Sequence, residues 1–186
     1  MSARAPFAPV VAIVGPSGVG KDTVMAALCA SHPGIELVRR VITRPENAGG
    51  EQFTGVSEAV FDQIAKDGAF ALHWRAHGLQ YGIPVEIDEQ RQRAVAVLVN
   101  LSRAVLREAQ DRFGNLIVVS LTASPAVLQQ RLSDRGRESA ADQSQRLDRA
   151  RMELPDGLIR MVEIDNSGAL EDTVSAILDL LQPESA

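Results

Sequence analysis

Residues 15–22 read Gly15-Pro16-Ser17-Gly18-Val19-Gly20-Lys21-Asp22, with Thr23 following. Glycines at this density let successive backbone N–H groups turn toward one point, and a Lys at the end of the run adds a full charge there. Such a cradle suits an anion with several oxygens. The apolar run Val10 to Val14 before it reads as a buried strand. The segment Thr23 to Ala30 after it reads as a helix, whose N-terminal dipole favours phosphate. Strand, glycine loop, Lys and helix together make a phosphate-binding P-loop. The chain is therefore expected to bind ATP through Gly15, Pro16, Ser17, Gly18, Val19, Gly20, Lys21, Asp22 and Thr23, with Lys21 on the outer phosphates. A purely structural glycine turn is the bland alternative. The residue after the Lys is ordinarily a Ser or Thr whose hydroxyl holds magnesium; here it is Asp22. Asp22, helped by Thr23, is expected to hold Mg2+, directly or through water.

Two arginine clusters lie elsewhere. The segment Arg131-Leu132-Ser133-Asp134-Arg135-Gly136-Arg137 is followed by Arg146, Arg149 and Arg151. A charge run is usually a solvated face. Beside a P-loop it has another use, because phosphoryl transfer depends on placing cations over the transferring group. Catalytic roles are expected for Arg131, Arg135 and Arg146 alongside Lys21, with surface roles for some of Arg137, Arg149 and Arg151. The second cluster, Arg39, Arg40 and Arg44, ends the second apolar run, where an acceptor phosphate has room to sit. Arg40, Arg44 and Tyr81 are the candidate substrate residues, although a core role for Tyr81 fits as well. His32, His73 and His77 have no spacing that suggests zinc, and His77 before Gly78 reads as a turn histidine. Trp74 reads as packing. Asn166 and Ser167 border the adenine or cap a loop.

These groups must be positioned by the elements between them. Apolar runs at Val10 to Val14, Leu37 to Ile42, Val95 to Val99, Leu116 to Leu121 and Met161 to Ile164 read as strands. Helical patterns cover Lys21 to Ala30, Ser57 to Lys66, Ser102 to Arg112, Pro125 to Arg135, Ala140 to Glu153 and Leu170 to Leu181. Their alternation predicts an α/β fold with a parallel five-stranded sheet covered on both faces, and ligands at the carboxyl ends of its strands. Two segments break the alternation. Residues 43–84, with strand-like runs Phe70 to Ala76 and Gln80 to Ile83, read as an acceptor-binding insert. Residues 131–151 read as a helical lid.

The 186 residues fit one domain, and a hydrophobic content of 45% is enough for a full core. A net charge of -5 does not favour nucleic acid as a partner. Cys29 is the single cysteine, so neither a disulfide framework nor a cysteine-rich metal site is expected. Inside the first helix it reads as a small buried hydrophobe. No apolar run approaches the length of a membrane span. Met1 to Pro9 reads as a short flexible leader rather than a signal peptide. The expectation is a soluble, cytoplasmic protein with no membrane partner; its oligomeric state stays open.

Over nearly its whole length the chain resembles the guanylate kinase family. The likeness rests on the Gly-Pro-Ser-Gly opening of the P-loop, Thr43-Arg44-Pro45, Gly50 to Phe61, His77-Gly78 to Tyr81-Gly82, and Arg131 to Gly136 with Arg146-Leu147. It implies a P-loop kinase core with an acceptor-binding insert and a lid. The departures bear on the acceptor. In that family a Glu, a Ser and an Asp hold guanine; the matching places here are Leu72, Arg40 and the acid-free Val99-Asn100-Leu101. One phosphate Arg is missing from Pro45 to Gly49, and a phosphate Tyr becomes Phe53. A site that hydrogen-bonds a base loses discrimination when its polar partners go.

The strings Gly20-Lys21-Asp22-Thr23, Ile42 to Pro45 with Ala48 to Glu51, Ala76 to Leu79 with Tyr81 to Pro84, and Val99-Asn100 with Ser102-Arg103-Ala104 resemble the ribose 1,5-bisphosphate phosphokinase family. That resemblance implies ATP-dependent phosphorylation of ribose 1,5-bisphosphate to 5-phospho-α-D-ribose 1-diphosphate in phosphonate catabolism, with a phosphorylated sugar as small-molecule partner. The acceptor phosphate is already ionised at neutral pH, so no general base is expected. A guanylate kinase, a kinase for another small phosphorylated metabolite and a non-catalytic binding module of the same fold are the alternatives.

Overall fold

The computed structural model describes residues 7–46, 52–134 and 154–182. Its strands, in chain order, are β1 (Val10–Val14), β2 (Ile35–Leu37), β3 (Val41–Ile42), β4 (Thr54–Gly55), β5 (Phe70–Ala76), β6 (Leu79–Pro84), β7 (Ala96–Asn100), β8 (Leu116–Thr122) and β9 (Met161–Asp165). The helices are α1 (Lys21–Ser31), α2 (Glu58–Lys66), α3 (Ile87–Arg93), α4 (Leu106–Phe113), α5 (Pro125–Asp134) and α6 (Leu170–Leu181). A 3-10 turn, Arg103–Val105, leads into α4. Arg135, Arg137, Arg146, Arg149, Arg151, the expected helix from Ala140 to Glu153 and most of the expected lid lie outside the described residues.

Five parallel strands form the main sheet in the order β2-β7-β1-β8-β9. β1 is its middle strand and is buried throughout, because helices cover both faces. Successive side chains of a strand point to opposite faces. Val10, Ala12 and Val14 accordingly join one apolar cluster with Val97, Val99, Leu106 and Phe113. Val11 and Ile13 join another with Met25 and Leu28 of α1 and Ile177 of α6. Strand order reverses at β1, and the carboxyl edge at such a point is where α/β sheets bind ligands.

A second sheet, β4-β3-β6-β5, stands beside this core. β5 and β6 form an antiparallel hairpin in which Ala76 pairs with Leu79. The hairpin turns through His77 (φ 53) and Gly78 (φ 73), the double positive φ of a tight type I′ connection. β3 pairs with β6 through Ile42 and Tyr81. The expected single strand from Leu37 to Ile42 is two strands in two sheets. Val38 still donates to the Leu98 carbonyl of the main sheet, and from Arg40 the chain belongs to the second. The helix expected from Ser102 begins as the 3-10 turn, with the Ser102 hydroxyl accepting from the Ala104 amide. Among the described residues no helix is long and apolar enough to cross a membrane. Cys29 is half-buried, and burial pushes its thiol pKa up.

Candidate active site

The loop that leaves β1 is shaped by positions only glycine fills without strain. Gly15 (φ 150) passes so close to β8 that a Cβ there would lie 2.6 Å from the Leu121 carbonyl oxygen. Gly20 (φ 98) is the left-handed residue that caps α1. The Lys21 ammonium folds back over the loop, donating to the carbonyls of Gly15 (2.9 Å) and Pro16 (3.1 Å). A cation is thus held over the loop by its own backbone. Asp22 and Thr23 occupy the first turn of α1, Asp22 half-buried and Thr23 exposed.

The loop forms one wall of a cleft of about 420 Å³. Gly15, Pro16, Ser17 and Lys21 line this side. The second sheet supplies the opposite side through Arg40, Trp74, Ala76, His77 and Tyr81, and the segment from Asn100 to Ala104 closes the end. Trp74 and Tyr81, cross-strand partners on β5 and β6, stack with ring centroids 5.3 Å apart and planes 9° off parallel. The Arg40 guanidinium lies 5.1 Å from the Tyr81 ring centroid and 5.9 Å from that of Trp74. Its Nη1 donates to the Asn100 carbonyl at 2.9 Å, so the cation is fixed between the two sheets. Tyr81 and Trp74 therefore both pack and line the cleft, and His77 combines its turn position with a place on the cleft wall.

Arg103 is the cleft residue that reading the residue types left without a role. It stands alone in a short turn after β7, and neither periodicity nor a charge run marks it. Burial lowers its guanidinium pKa from the ordinary arginine value, and it remains a cation at neutral pH. Lys21, Arg40 and Arg103 thus bring three cations to the cleft, and among the described residues its lining contains no Asp or Glu.

The other candidates separate from this group. Arg44 stacks on Phe53, 4.4 Å from the ring centroid, and is not among the residues lining the cleft. Arg39 donates to the Phe53 carbonyl at 3.1 Å and faces Glu46, a structural role at the edge of the insert. Leu72 is 2% exposed within an apolar cluster, so no polar group replaces the Glu of guanylate kinases at that place. Arg131, on α5, donates to the carbonyls of Val19 and Asn166 at 3.1 and 3.0 Å. Asn166 is buried against the outer side of the P-loop, and the Ser167 hydroxyl caps the amide of Ser124. Among the described residues no group of three or more His, Cys, Asp or Glu comes together to hold a metal. Magnesium in a phosphoryl-transfer site is commonly held by one or two carboxylates together with phosphate oxygens and water. Asp22 beside the P-loop is a hard oxygen donor that fits this pattern.

Known proteins resemble the chain over nearly its full length. It is 52% identical over 178 residues to the ribose 1,5-bisphosphate phosphokinase PhnN of Ruegeria sp. (strain TM1040), covering 96% of this chain and 94% of that one. The protein of the same name from Pseudomonas paraeruginosa (strain DSM 24068 / PA7) is 46% identical, covering 94% and 95%. The one from Agrobacterium fabrum (strain C58 / ATCC 33970) is 44% identical, covering 92% and 95%. Among solved structures, guanylate kinase from Anaplasma phagocytophilum superposes with a TM-score of 0.66 at 16% identity, covering 95% of this chain and 85% of that one. A gluconokinase from Sinorhizobium meliloti 1021 superposes at 0.51 and 22% identity, covering 96% and 93%. At such identities the structural likeness shows the fold alone, an α/β P-loop kinase. No protein-family model matches the chain.

Proposed function

The chain belongs to the ribose 1,5-bisphosphate phosphokinase family, and from that premise we propose that it moves the γ-phosphoryl group of ATP onto the 1-phosphate of ribose 1,5-bisphosphate. The products are 5-phospho-α-D-ribose 1-diphosphate and ADP. The observation that carries the reading is the charge of the cleft: Lys21, Arg40 and Arg103 line it, with no Asp or Glu among the described lining residues. Guanine offers N–H donors on its pairing edge and needs acceptors opposite them. A cleft whose described lining has no carboxylate, with Leu72 buried in the core where a guanylate kinase has its Glu, is poorly equipped to supply them. An acceptor carrying two phosphates suits three cations well.

Each group has a part in the transfer. The backbone N–H groups of residues 17–21 cradle the β- and γ-phosphates, and Lys21 neutralises charge that builds on the oxygen linking them. An ionised oxygen of the acceptor's 1-phosphate attacks the γ-phosphorus as the bond from that phosphorus to the β-phosphate oxygen breaks. No proton moves, which agrees with a cleft that needs no His–carboxylate pair. Arg40 and Arg103 hold the acceptor, with the Tyr81 hydroxyl as a further phosphate contact; Arg44, stacked on Phe53 outside this lining, is left out of the set. Arg135 and Arg146 are the cations proposed to gather over the transferring group, whereas Arg131, expected there from the sequence, donates to the Val19 and Asn166 carbonyls and braces the P-loop from outside the cleft. Magnesium, held by Asp22 with Thr23, would offset charge on the β- and γ-oxygens. We place the reaction in the cytoplasm, within phosphonate breakdown.

A coupled assay that follows ADP release, with product identified by 31P NMR, tests the reaction. Turnover of ribose 1,5-bisphosphate with appearance of a diphosphate signal is expected, and GMP is expected to be a poor acceptor. Efficient turnover of GMP with none of the bisphosphate would overturn the proposal. Asp22→Ala should raise the magnesium needed for half-maximal rate about tenfold, the effect of losing one charged contact. An unchanged magnesium titration would remove Asp22 from the metal.

A further inference from the structure

Two side chains far apart in sequence converge on one carbonyl of the P-loop. Asn166, buried after β9, donates from Nδ2 to the Val19 carbonyl oxygen at 2.7 Å. Arg131 of α5 donates from Nη1 to the same oxygen at 3.1 Å. The pair is itself braced. Arg131 Nη2 donates to the Asn166 carbonyl at 3.0 Å, the Thr173 hydroxyl of α6 donates to Asn166 Oδ1 at 2.8 Å, and the Asn166 amide donates to the Thr122 carbonyl of β8 at 2.8 Å. A carbonyl oxygen has two lone pairs, and here two side-chain donors take them up.

In a trans peptide the carbonyl of one residue and the N–H of the next point in opposite directions. The Val19–Gly20 peptide is trans, as are all those described. With the Val19 oxygen drawn to Asn166 and Arg131, the Gly20 N–H is turned to the opposite side of the peptide. The fit is close, since a Cβ on Gly20 would lie 2.9 Å from Asn166 Nδ2. We infer that Asn166, braced by Thr173, is a positioning residue that sets the orientation of the Val19–Gly20 peptide and so aims the Gly20 N–H at a nucleotide phosphate. Arg131 shares the task from the start of the segment expected to form the lid. The inference rests on the P-loop binding a nucleotide and adds a residue that acts without touching it.

The test compares wild type with Asn166→Ala and, as a milder change that keeps the amide, Thr173→Val. ADP affinity is measured by calorimetry, the Gly20 amide proton is followed by NMR during the same titration, and melting temperature and acceptor KM are recorded. Asn166→Ala should weaken ADP binding roughly tenfold, the size of one lost hydrogen bond to a charged group. The downfield move of the Gly20 amide proton on ADP addition should shrink, while acceptor KM stays as in wild type. Thr173→Val should shift both readouts in the same direction by less. A lowered melting temperature with unchanged ADP affinity and an unchanged Gly20 shift would make Asn166 a structural prop and overturn the inference. Failure of wild type to bind ADP would instead overturn the P-loop reading beneath it.

Discussion

The two walls of the cleft are built by different means. The P-loop wall is mostly backbone: glycines at φ 150, 84 and 98 shape it, and its one full charge, Lys21, is held by the loop's own carbonyls. The facing wall is mostly side chain. Arg40 lies over the Trp74–Tyr81 stack, and Arg103 enters from a separate turn. A backbone cradle reads phosphate and little else, which suits a donor common to many kinases. Side chains carried on different elements can be exchanged one at a time, and that wall is where this chain departs from guanylate kinases.

The largest expected effect lies on the backbone wall. Lys21→Met should lower kcat by about 10²- to 10³-fold, the usual result of removing a donor aimed at developing charge. Its effect on acceptor KM should be much smaller, as steady-state kinetics with each substrate varied in turn will show. If acceptor KM moved as much as kcat, the two walls would not be separable.

Arginine burial alone does not make a ligand site, and Arg91 sharpens that distinction. It is 5% exposed, close to the 8% of Arg40, yet its Nε and Nη2 donate to the carbonyls of Ala8 and Phe113, both at 3.0 Å. It joins Ala8, two residues before β1, to the end of α4, away from the cleft. Arg91→Leu should cost about 2–4 kcal/mol of stability by orphaning buried carbonyls. Denaturant unfolding measures that loss, and both KM values should stay unchanged. A rise in acceptor KM would mean that the facing wall depends on more of the core than the cleft geometry implies.

The smallest effect belongs to a surface pair outside both walls. Arg93 donates to Glu36 through two hydrogen bonds of 2.8 and 2.9 Å, which holds the Glu36 carboxyl below its ordinary pKa. A carboxylate with a lowered folded-state pKa contributes stability above its unfolded value and loses that contribution as pH falls through the folded one. Glu36→Gln should therefore melt slightly below wild type at pH 7. The gap should close as pH drops below about 4, near and under the ordinary carboxylate range. Scanning calorimetry across that window measures it; a gap independent of pH would show that the pair contributes nothing through charge.

The same contrast between walls explains what could be read from the chain. The P-loop is legible because its glycines, Lys21 and flanking elements are contiguous, and each is demanded by local geometry. β5 and α6 have the bounds their patterns predict, since alternation over Phe70–Ala76 and helical spacing over Leu170–Leu181 coincide with burial. The run from Leu37 to Ile42 misleads because its apolar residues serve two sheets, and no local signal marks the crossing. α3 shows no apolar stripe; it is anchored by Ile87 and by Arg91, whose buried side chain is a cation. Arg103 and Asn166 gain meaning only from neighbours distant in sequence. Val19, the partner of Asn166, is 147 positions away.

The most direct test of the division between walls is a variant carrying Arg40→Lys and Arg103→Gln, with KM for ATP and for ribose 1,5-bisphosphate measured on the same preparation. Losing charge-assisted contacts worth about 1.5–3 kcal/mol should raise the bisphosphate KM by roughly 10- to 100-fold while leaving the ATP KM within about twofold of wild type. Equal rises in both would contradict the account, because the facing wall would then be holding the nucleotide as well.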